Sequence, residues 1–434
     1  MRTVTDAKIH MTSLRIAPWQ VVFAIALVSF ATVGLELPHG PWLATAPLSL
    51  ASGATALALM ATAAILSARW PWVEHAFGGL DRMYDAHKWL GISALAFASV
   101  HLLFKAGMQG WDTAPIMALP PDWTRLVRQA SFVGLMLIVL LSLNRKIPYS
   151  SWRWWHRLSG PILLVVVLHA LSIKSPIALS SPAGIWIGAL AGLGVIAAAY
   201  KLLLYPFISN RAEYEVVAVS PGSGAAQIDF KPTSRPVDFV PGQFGFLRMK
   251  VDGLREPHPF TIATGAASDG HISFVIRALG DYTAKLIAEA TPGMRADVYA
   301  PYGRFVRRPE ASHEIWIAGG VGISPFIAWM KQNGANAAGK VTLFYLFTPG
   351  RVFPSVETLA EMARESGVEF VPVSTGVSSQ AFADRFAEIA RESDTATLDV
   401  ALCGPKGVAP HVRRLMQQHA IPEGNLRYEM FEFR

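Results

Sequence analysis

Four of the twelve histidines fall inside or at the ends of two apolar stretches, His87 and His101 in one, His156 and His169 in the other. Ionisable or metal-binding groups at membrane depth are costly and point to function. At 1.5 Å per residue, a separation of fourteen residues puts His87 and His101 ~21 Å apart, and thirteen residues put His156 and His169 ~20 Å apart. Each helix therefore carries one histidine near each face of a bilayer. Antiparallel packing pairs His87 with His156 at one depth and His101 with His169 at the other. Two imidazoles at each of two depths are the axial ligand set of two stacked bis-histidine haems of the b type. The azimuths agree less well: at about 100° per residue, His87 and His101 differ by about 40° and share a face, whereas His156 and His169 differ by about 140°. Ser159, Gly160 and Pro161 lie between the latter two and read as a helix restart, with Ser159 as N-cap and the proline in the first turn, which takes His156 off the ideal helix.

The elements that must hold these groups are apolar helices. Hydrophobic residues make up 52% of the 434 residues and charged residues 16%, against about 25% charged in an ordinary soluble domain. Six apolar stretches, near residues 17–37, 47–67, 87–105, 126–143, 161–175 and 184–205, each approach the ~20 residues that cross a bilayer. They predict a six-helix transmembrane bundle over 16–211 behind a cytoplasmic segment 1–15. No small-residue cleavage site follows Glu36, Leu37 and Pro38, so the first stretch reads as an uncleaved span.

The net charge of +7 divides into +9 before residue 212 and −2 after it. The positive excess lies in short segments between apolar runs, which excludes a nucleic-acid footprint and sets orientation instead. Arg2, Lys8 and Arg15, then Arg69, Arg82 and Lys88, then Arg145, Lys146, Arg153 and Arg157 belong on the cytoplasmic side. The uncharged 38–47 loop, the 174–183 loop with Lys174 alone, and the 106–125 connection belong outside. Everything after Tyr205 is then cytoplasmic, and the chain reads as a multi-pass protein of the plasma (inner) membrane. Arg82, Lys88 and Arg157 are candidates to neutralise haem propionates on the inner side, and Arg125 or Arg128 on the outer. Cys403 is the only cysteine, which excludes disulfides within the chain and four-cysteine iron–sulfur clusters.

After Arg211 the pattern changes to short alternating strands, Tyr214–Ser220, Gln227–Lys231, Phe244–Met249 and His271–Arg277, predicting an antiparallel β-barrel over 212–310. From Glu314 apolar strands at 314–318, 341–347, 368–373 and 398–402 alternate with helical stretches, predicting an α/β domain with a parallel sheet over 311–434. Gly319-Gly320-Val321-Gly322-Ile323-Ser324-Pro325 follows a strand and opens a helix, so its amides and helix dipole suit a pyrophosphate. Cys403-Gly404-Pro405 ends what reads as the last strand and starts a helix beside that crevice. In the barrel, His258-Pro259-Phe260-Thr261 begins a strand, Gly280-Asp281-Tyr282-Thr283 opens a helix, and Pro301-Tyr302-Gly303 closes the barrel.

These five motifs in this order resemble the ferredoxin-reductase-type FAD and NAD(P)H module. The six spans with two histidine pairs resemble the ferric-reductase transmembrane domain, so from about residue 47 to 434 the chain resembles the NADPH oxidase and ferric reductase superfamily. The resemblance implies that His258, Pro259, Phe260 and Thr261 contact the flavin, with Thr261 near the isoalloxazine. It implies that Arg277, Gly280, Asp281 and Thr283 bind the FAD pyrophosphate, that Gly320, Gly322, Ser324 and Pro325 form the nicotinamide-nucleotide turn, and that Cys403 and Gly404 line the hydride-transfer crevice. It further implies an aromatic residue near the C-terminus stacked on the flavin, Phe433 first and Phe431 in reserve. No calcium-binding loop precedes the first span. Arg351, after the strand Val341–Phe347, is placed to clamp a 2′-phosphate and favour NADPH over NADH.

The expected function is electron transfer across the membrane, from cytoplasmic NAD(P)H through FAD and two haems b to a small extracytoplasmic acceptor, dioxygen or a ferric or cupric chelate, with oligomeric state open. With both axial positions of each iron filled by histidine, the acceptor is reduced at the haem edge. The outer loops hold only Asp112 and Asp122 as acids, a poor ferric site, so little selectivity is expected, and the 106–125 connection with Trp111, Asp112 and Trp123 is the one segment long enough for a lid. A histidine-lined proton channel or transporter with a redox-sensing flavin domain would need acidic groups along its path, and the spans offer only Glu36 near an end. A soluble flavin reductase merely tethered to the membrane leaves the four histidines without a role.

Overall fold

The computed structural model describes residues 17–37, 45–104, 113–265, 269–333 and 340–429. The chain divides into two compact units, Met1–Ile208 and Ser209–Arg434.

In the first unit the helices are α1 (Pro18–Glu36), α2 (Thr45–Ser67), α3 (Pro71–Phe77), α4 (Leu80–Leu103), α5 (Pro121–Leu143), α6 (Tyr149–His156), α7 (Ser159–Ser172), α8 (Pro182–Ala199) and, after a π-helical turn at Tyr200–Leu204, α9 (Tyr205–Ile208). Prolines at the first turn of α1, α5 and α8 start these helices where the missing N–H costs nothing. Ser181 caps α8 by accepting a bond from the Gly184 amide at 3.1 Å. Five described helical segments are long and apolar enough to cross a membrane: Pro18–Glu36, Thr45–Ser67, Pro121–Leu143, Ser151–Ser172 and Pro182–Leu204. The third expected span, near 87–105, corresponds to α4, which is 24 residues long but begins with Asp81, Arg82, Asp85 and Lys88 and falls outside that group.

The expected restart before His169 takes a different form. Ser159 is the first residue of α7 and caps nothing; Leu158 precedes the helix, with no side-chain cap bond. Between α6 and α7, Arg157 and Leu158 stay in right-handed helical geometry with ψ of −25° and −12°, and their amides donate to the Trp154 and Trp155 carbonyls three residues back. These shallow ψ values tighten the turn toward 3₁₀ winding and change the azimuth of His156 relative to His169.

α2 is the most enclosed helix of the unit. Its buried face is made of small residues, among them Ser49, Ala51, Ser52, Thr55, Ala58 and Ala61, and it packs against α1, α4 and α8. A Cβ on Gly194 of α8 would stand 2.8 Å from the Ala61 Cα, so α2 and α8 approach almost backbone to backbone, as small residues allow where the solvent is lipid.

The second unit opens with a six-stranded antiparallel sheet of β1 (Arg211–Gly222), β2 (Ala225–Pro232), β3 (Phe244–Met249), β4 (His258–Thr261), β5 (Ile272–Arg277) and β6 (Arg295–Tyr302), ordered β4-β3-β6-β1-β2-β5, with helix α10 (Asp281–Glu289) between β5 and β6. Just past β4, Ile262 bridges Phe274 and the Ala263 amide donates to the Ser273 carbonyl at 2.8 Å, nearly closing the sheet into a barrel. Tyr214, Phe230, Leu247, Ile262, Phe274 and Val298 are fully buried within it. A five-stranded parallel sheet follows: β7 (His313–Gly319), α11 (Ser324–Asn333), β8 (Lys340–Leu346), α12 (Val356–Glu365), β9 (Glu369–Val373), α13 (Gln380–Glu392), β10 (Asp399–Cys403), α14 (Ala409–Gln418) and β11 (Leu426–Glu429), ordered β11-β10-β7-β8-β9. The strand ending in Cys403 is therefore not the last; β11 pairs beyond it, Cys403 opposite Glu429. The strand order reverses between β7 and β10, and a crevice at such a switch point is where doubly wound sheets bind nucleotides.

Barrel and sheet are joined by aromatic stacking and buried charge. Phe305 stacks on Trp329 at 5.1 Å and 18°, and the Trp329 indole donates to the Pro241 carbonyl at 2.8 Å. Arg307 binds Glu314 in bidentate fashion, with bonds of 2.7 to 3.0 Å, and both side chains are buried. Arg427 bonds Asp399 and the Val306 carbonyl, with its guanidinium 5.8 Å from the Phe305 ring centre. A buried carboxylate stripped of its partner costs ~3–5 kcal/mol. Arg307→Met is accordingly expected to destabilise this unit by about that amount, read by urea-dependent proteolysis of the full chain, while Arg307→Met with Glu314→Leu recovers most of the loss. Equal stability of single variant and wild type would show that the pair contributes nothing.

Candidate functional site

The membrane unit brings the four histidines into two facing pairs. The rings of His87 (α4) and His156 (α6) are 5.9 Å apart between centres at 73°, and those of His101 (α4) and His169 (α7) are 6.4 Å apart at 61°. The antiparallel pairing expected from spacing is the one observed.

Hydrogen bonds fix how three of the rings stand. His87 Nδ1 lies 2.8 Å from the Ala63 carbonyl and His101 Nδ1 lies 2.8 Å from the Ser49 carbonyl. A carbonyl only accepts, so both Nδ1 atoms carry hydrogen. His156 Nδ1 is 3.0 Å from Ser142 Oγ, and that hydroxyl already donates to the Ile138 carbonyl at 2.6 Å, so it accepts from Nδ1–H. In these three imidazoles Nε2 is left with a lone pair, the arrangement of a histidine that binds metal through Nε2 and is oriented through Nδ1. Trp152 stacks on His156 at 5.1 Å and 20°, and a Cβ on Gly53 would stand 2.8 Å from His101 Nδ1. Ser49, Gly53, Ala63 and Ser142 were not singled out by sequence, because their contacts join segments 14 to 52 residues apart; Trp152, four residues from His156, was not singled out either.

The donor set fits haem. Among the described residues no group of three or more His, Cys, Asp or Glu is placed to hold a metal ion, so two imidazoles would leave a bare ion under-ligated. A porphyrin supplies the remaining four donors. Two imidazoles on opposite sides of one ion, with metal–nitrogen bonds of ~2 Å, place their ring centres about 6 Å apart, close to both observed spacings. Of the flanking cations, Lys88 pairs with Asp85 at 3.5 Å on an exposed surface. Trp123 lies exposed in the first turn of α5, while Trp111 and Asp112 lie outside the described residues.

In the second unit strand alternation divides the HPFT segment. His258 stacks on Tyr282 at 3.7 Å and 21°, and Phe260 packs against Phe274, while Pro259 and Thr261 take the opposite face. Thr261 Oγ1 is buried with no hydrogen-bond partner among the described residues, as is Arg277 Nε. Buried polar atoms left open cost free energy, and these two sit in the segments expected to contact flavin and pyrophosphate, so the residues present fit FAD. At the start of α10, Thr283 Oγ1 accepts from the Leu279 and Gly280 amides at 3.0 and 3.1 Å, and Asp281 Oδ1 accepts from the Tyr282 amide at 2.8 Å.

Arg277 ties three of the motifs together. Its Nη2 donates to the Arg351 carbonyl at 2.7 Å, and a Cβ on Gly320 would stand 3.8 Å from the same atom. The Arg351 side chain itself is exposed. Gly320 has a φ of +55°, and the turn it opens leads into α11 with the Ser324 hydroxyl bonded to the Val321 carbonyl at 2.9 Å and Pro325 behind it. A Cβ on Gly322 would collide with the Cys403 carbonyl, and a Cβ on Gly404 would stand 3.1 Å from the Gly319 Cα. The Gly-rich turn and Cys403-Gly404 therefore form the two walls of the switch-point crevice. Cys403 is fully buried, and burial, reinforced by the Glu429 carboxylate, pushes its thiol well above the ordinary range. Phe431, Phe433 and Arg434 lie outside the described residues.

Two outcomes follow. Thr261→Val keeps the volume and removes the open hydroxyl, so FAD affinity should fall about tenfold, a single hydrogen bond's worth of ~1 kcal/mol or slightly more; titration of the apoprotein with FAD measures it, and unchanged affinity would remove Thr261 from the flavin contacts. Raising a thiol's pKa starves it of thiolate, so Cys403 should resist iodoacetamide at pH 8 in the folded chain and react at once in denaturant. Rapid labelling of the folded chain would contradict the burial argument.

Residues 52–167 match the family described as ferric reductase like transmembrane component, and residues 212–337 match the FAD-binding domain family. Methane monooxygenase component C of Methylosinus trichosporium is 31% identical over 132 residues, 30% of this chain and 38% of that protein. The reductase component of propane 2-monooxygenase of Mycolicibacterium goodii is 24% identical over 236 residues, 50% of this chain and 66% of that protein. The chain thus spans less than two thirds of either relative. The ferredoxin reductase in carbazole 1,9a-dioxygenase aligns at a TM-score of 0.43 and 21% identity, covering 51% of this chain and 70% of that one. The chain is built as the ferric reductase and NADPH oxidase superfamily is built, from a ferric-reductase-like transmembrane component and a ferredoxin-reductase-type FAD-binding module, an architecture for electron transfer.

Proposed function

We propose that the protein carries electrons from NAD(P)H on the cytoplasmic side of the plasma membrane to a small acceptor on the other side. The observation that carries this reading is the pair of imidazole couples at two depths, three of whose rings have Nδ1–H anchored and Nε2 left to bind metal. When bound, FAD accepts a hydride and releases its electrons singly, and two haems b relay them across the hydrocarbon. Each NAD(P)H oxidised supplies two electrons to two one-electron acceptors and leaves one proton on the nucleotide side.

The chain's residues bind and orient. His87 with His156, and His101 with His169, would hold the two irons; α4 serves as the third of six spans and α6 with α7 as the fifth. Thr261 Oγ1 and Arg277 Nε meet the flavin and its pyrophosphate. Gly320, Gly322, Ser324 and Pro325 receive the nicotinamide nucleotide against Cys403 and Gly404, whose lack of side-chain bulk lets the two walls approach. Cys403, as a neutral buried thiol, shapes the crevice and exchanges no proton there. Arg351, exposed beside this turn, selects for a 2′-phosphate and so for NADPH. Phe433 covers the flavin face until the nucleotide docks. If two histidines and a porphyrin held each iron, no position would be left open for a ligand, and dioxygen and soluble ferric or cupric chelates would be reduced alike at the outer edge.

The visible spectrum of the purified protein tests the reading: a Soret band with low-spin α and β bands that sharpen on adding NAD(P)H is expected, and flavin without a Soret band after haem-replete expression would overturn it. His101→Ala should remove one haem and abolish reduction of an acceptor trapped inside proteoliposomes while NAD(P)H still bleaches the flavin. Export that survives this substitution would place the route elsewhere.

A further inference from the structure

The two imidazole pairs are not equivalent in what holds them. In the His87–His156 pair both Nδ1 atoms have an acceptor, the Ala63 carbonyl at 2.8 Å and the Ser142 hydroxyl oxygen at 3.0 Å. In the other pair His101 Nδ1 has the Ser49 carbonyl at 2.8 Å and the Ser49 hydroxyl oxygen at 3.1 Å, but His169 Nδ1 is buried and has no hydrogen-bond partner among the described residues. Arg128, on α5, lies within electrostatic reach of His169.

Both differences act in one direction. An imidazole that donates its Nδ1–H to an acceptor carries more electron density on Nε2 and is the stronger donor to a metal, which favours the oxidised ion and lowers its potential. An imidazole without that bond donates less. A nearby guanidinium favours the less positive, reduced ion and raises the potential.

We propose that this uneven anchoring makes the His101–His169 centre the higher-potential of the two, so that electrons arriving at His87–His156 run downhill toward it, and that Ser142 is the positioning residue that sets the step. The role is specific to Ser142 because its hydrogen is committed to the Ile138 carbonyl at 2.6 Å, which leaves its oxygen able only to accept from His156.

The inference rests on the haem reading, and one titration separates the two. The haem-loaded full chain is titrated potentiometrically with visible and EPR detection, as wild type, Ser142→Ala, Ser142→Thr and Arg128→Gln. Two resolved midpoints are expected in the wild type. Ser142→Ala should shift the lower midpoint upward, with altered g-values for that centre and the upper midpoint in place. Ser142→Thr, which keeps the hydroxyl, should match wild type. Arg128→Gln should lower the upper midpoint alone, and it provides an independent test if Ser142→Ala fails to fold. A His101→Ala background, which retains only the His87–His156 centre, identifies which midpoint is which. Coincident wild-type midpoints, a lower midpoint at His101–His169, or a Ser142→Ala shift in the upper midpoint or in neither would overturn the inference and leave the haem reading intact. A chain that binds no haem overturns both.

Discussion

The closeness with which α2 approaches its neighbours governs the membrane unit. Lipid offers no hydrophobic drive between helices, so association depends on packing and on hydrogen bonds. α2 supplies both through small residues. Ala61 lets Gly194 of α8 come almost to backbone contact, and Gly53 leaves room for the His101 ring. At that separation the backbone carbonyls of Ala63 and Ser49 reach the imidazoles of α4. The two carbonyls are fourteen residues apart, as are His87 and His101, so one antiparallel register satisfies both. A bulkier α2 would push α4 away and lose both anchors together.

The reductase unit solves a related problem with glycine in place of alanine. The turn after β7 and the end of β10 can share the switch-point crevice only because Gly319, Gly322 and Gly404 carry no side chain. Arg277 then links the barrel to this crevice through the Arg351 carbonyl. The stacked Phe305 and Trp329, flanked by the Arg307–Glu314 and Arg427–Asp399 pairs, hold barrel and sheet in one register. Charges buried this way contribute little net stability, but they penalise any misdocked arrangement that would leave one unpaired.

Much of this was legible in the sequence where the signal is periodic or local. The pairing of the histidines came from spacing alone, and the parallel strands from β7 to β10 from their alternation with helical stretches. The azimuthal conflict between His156 and His169 was visible, but its resolution at Arg157 and Leu158 was not, because a tightened turn leaves no composition mark as a serine cap would. β6, with Arg295 and Asp297, and β11, with Arg427, lack clean alternation because these charged residues enter ion pairs. α4 carries its charges in its first turns and its apolar face inward, so it stands apart from the other spans in hydropathy. The anchors Ser49, Ala63 and Ser142 were beyond reach, since two act through backbone carbonyls that any residue type possesses.

The position of β11 at the edge of the parallel sheet has a consequence for synthesis. β7 and β10 are neighbours in space but separated by some eighty residues of chain, and Arg427, which bonds Val306 and Asp399, is made 121 residues after Val306. On the ribosome the helices bearing the histidines emerge before the barrel, the barrel can close next, and the crevice between β7 and β10 is unfinished until β11 is released. A nascent or prematurely terminated chain can therefore hold its membrane ligands in place while lacking any completed entry point for electrons.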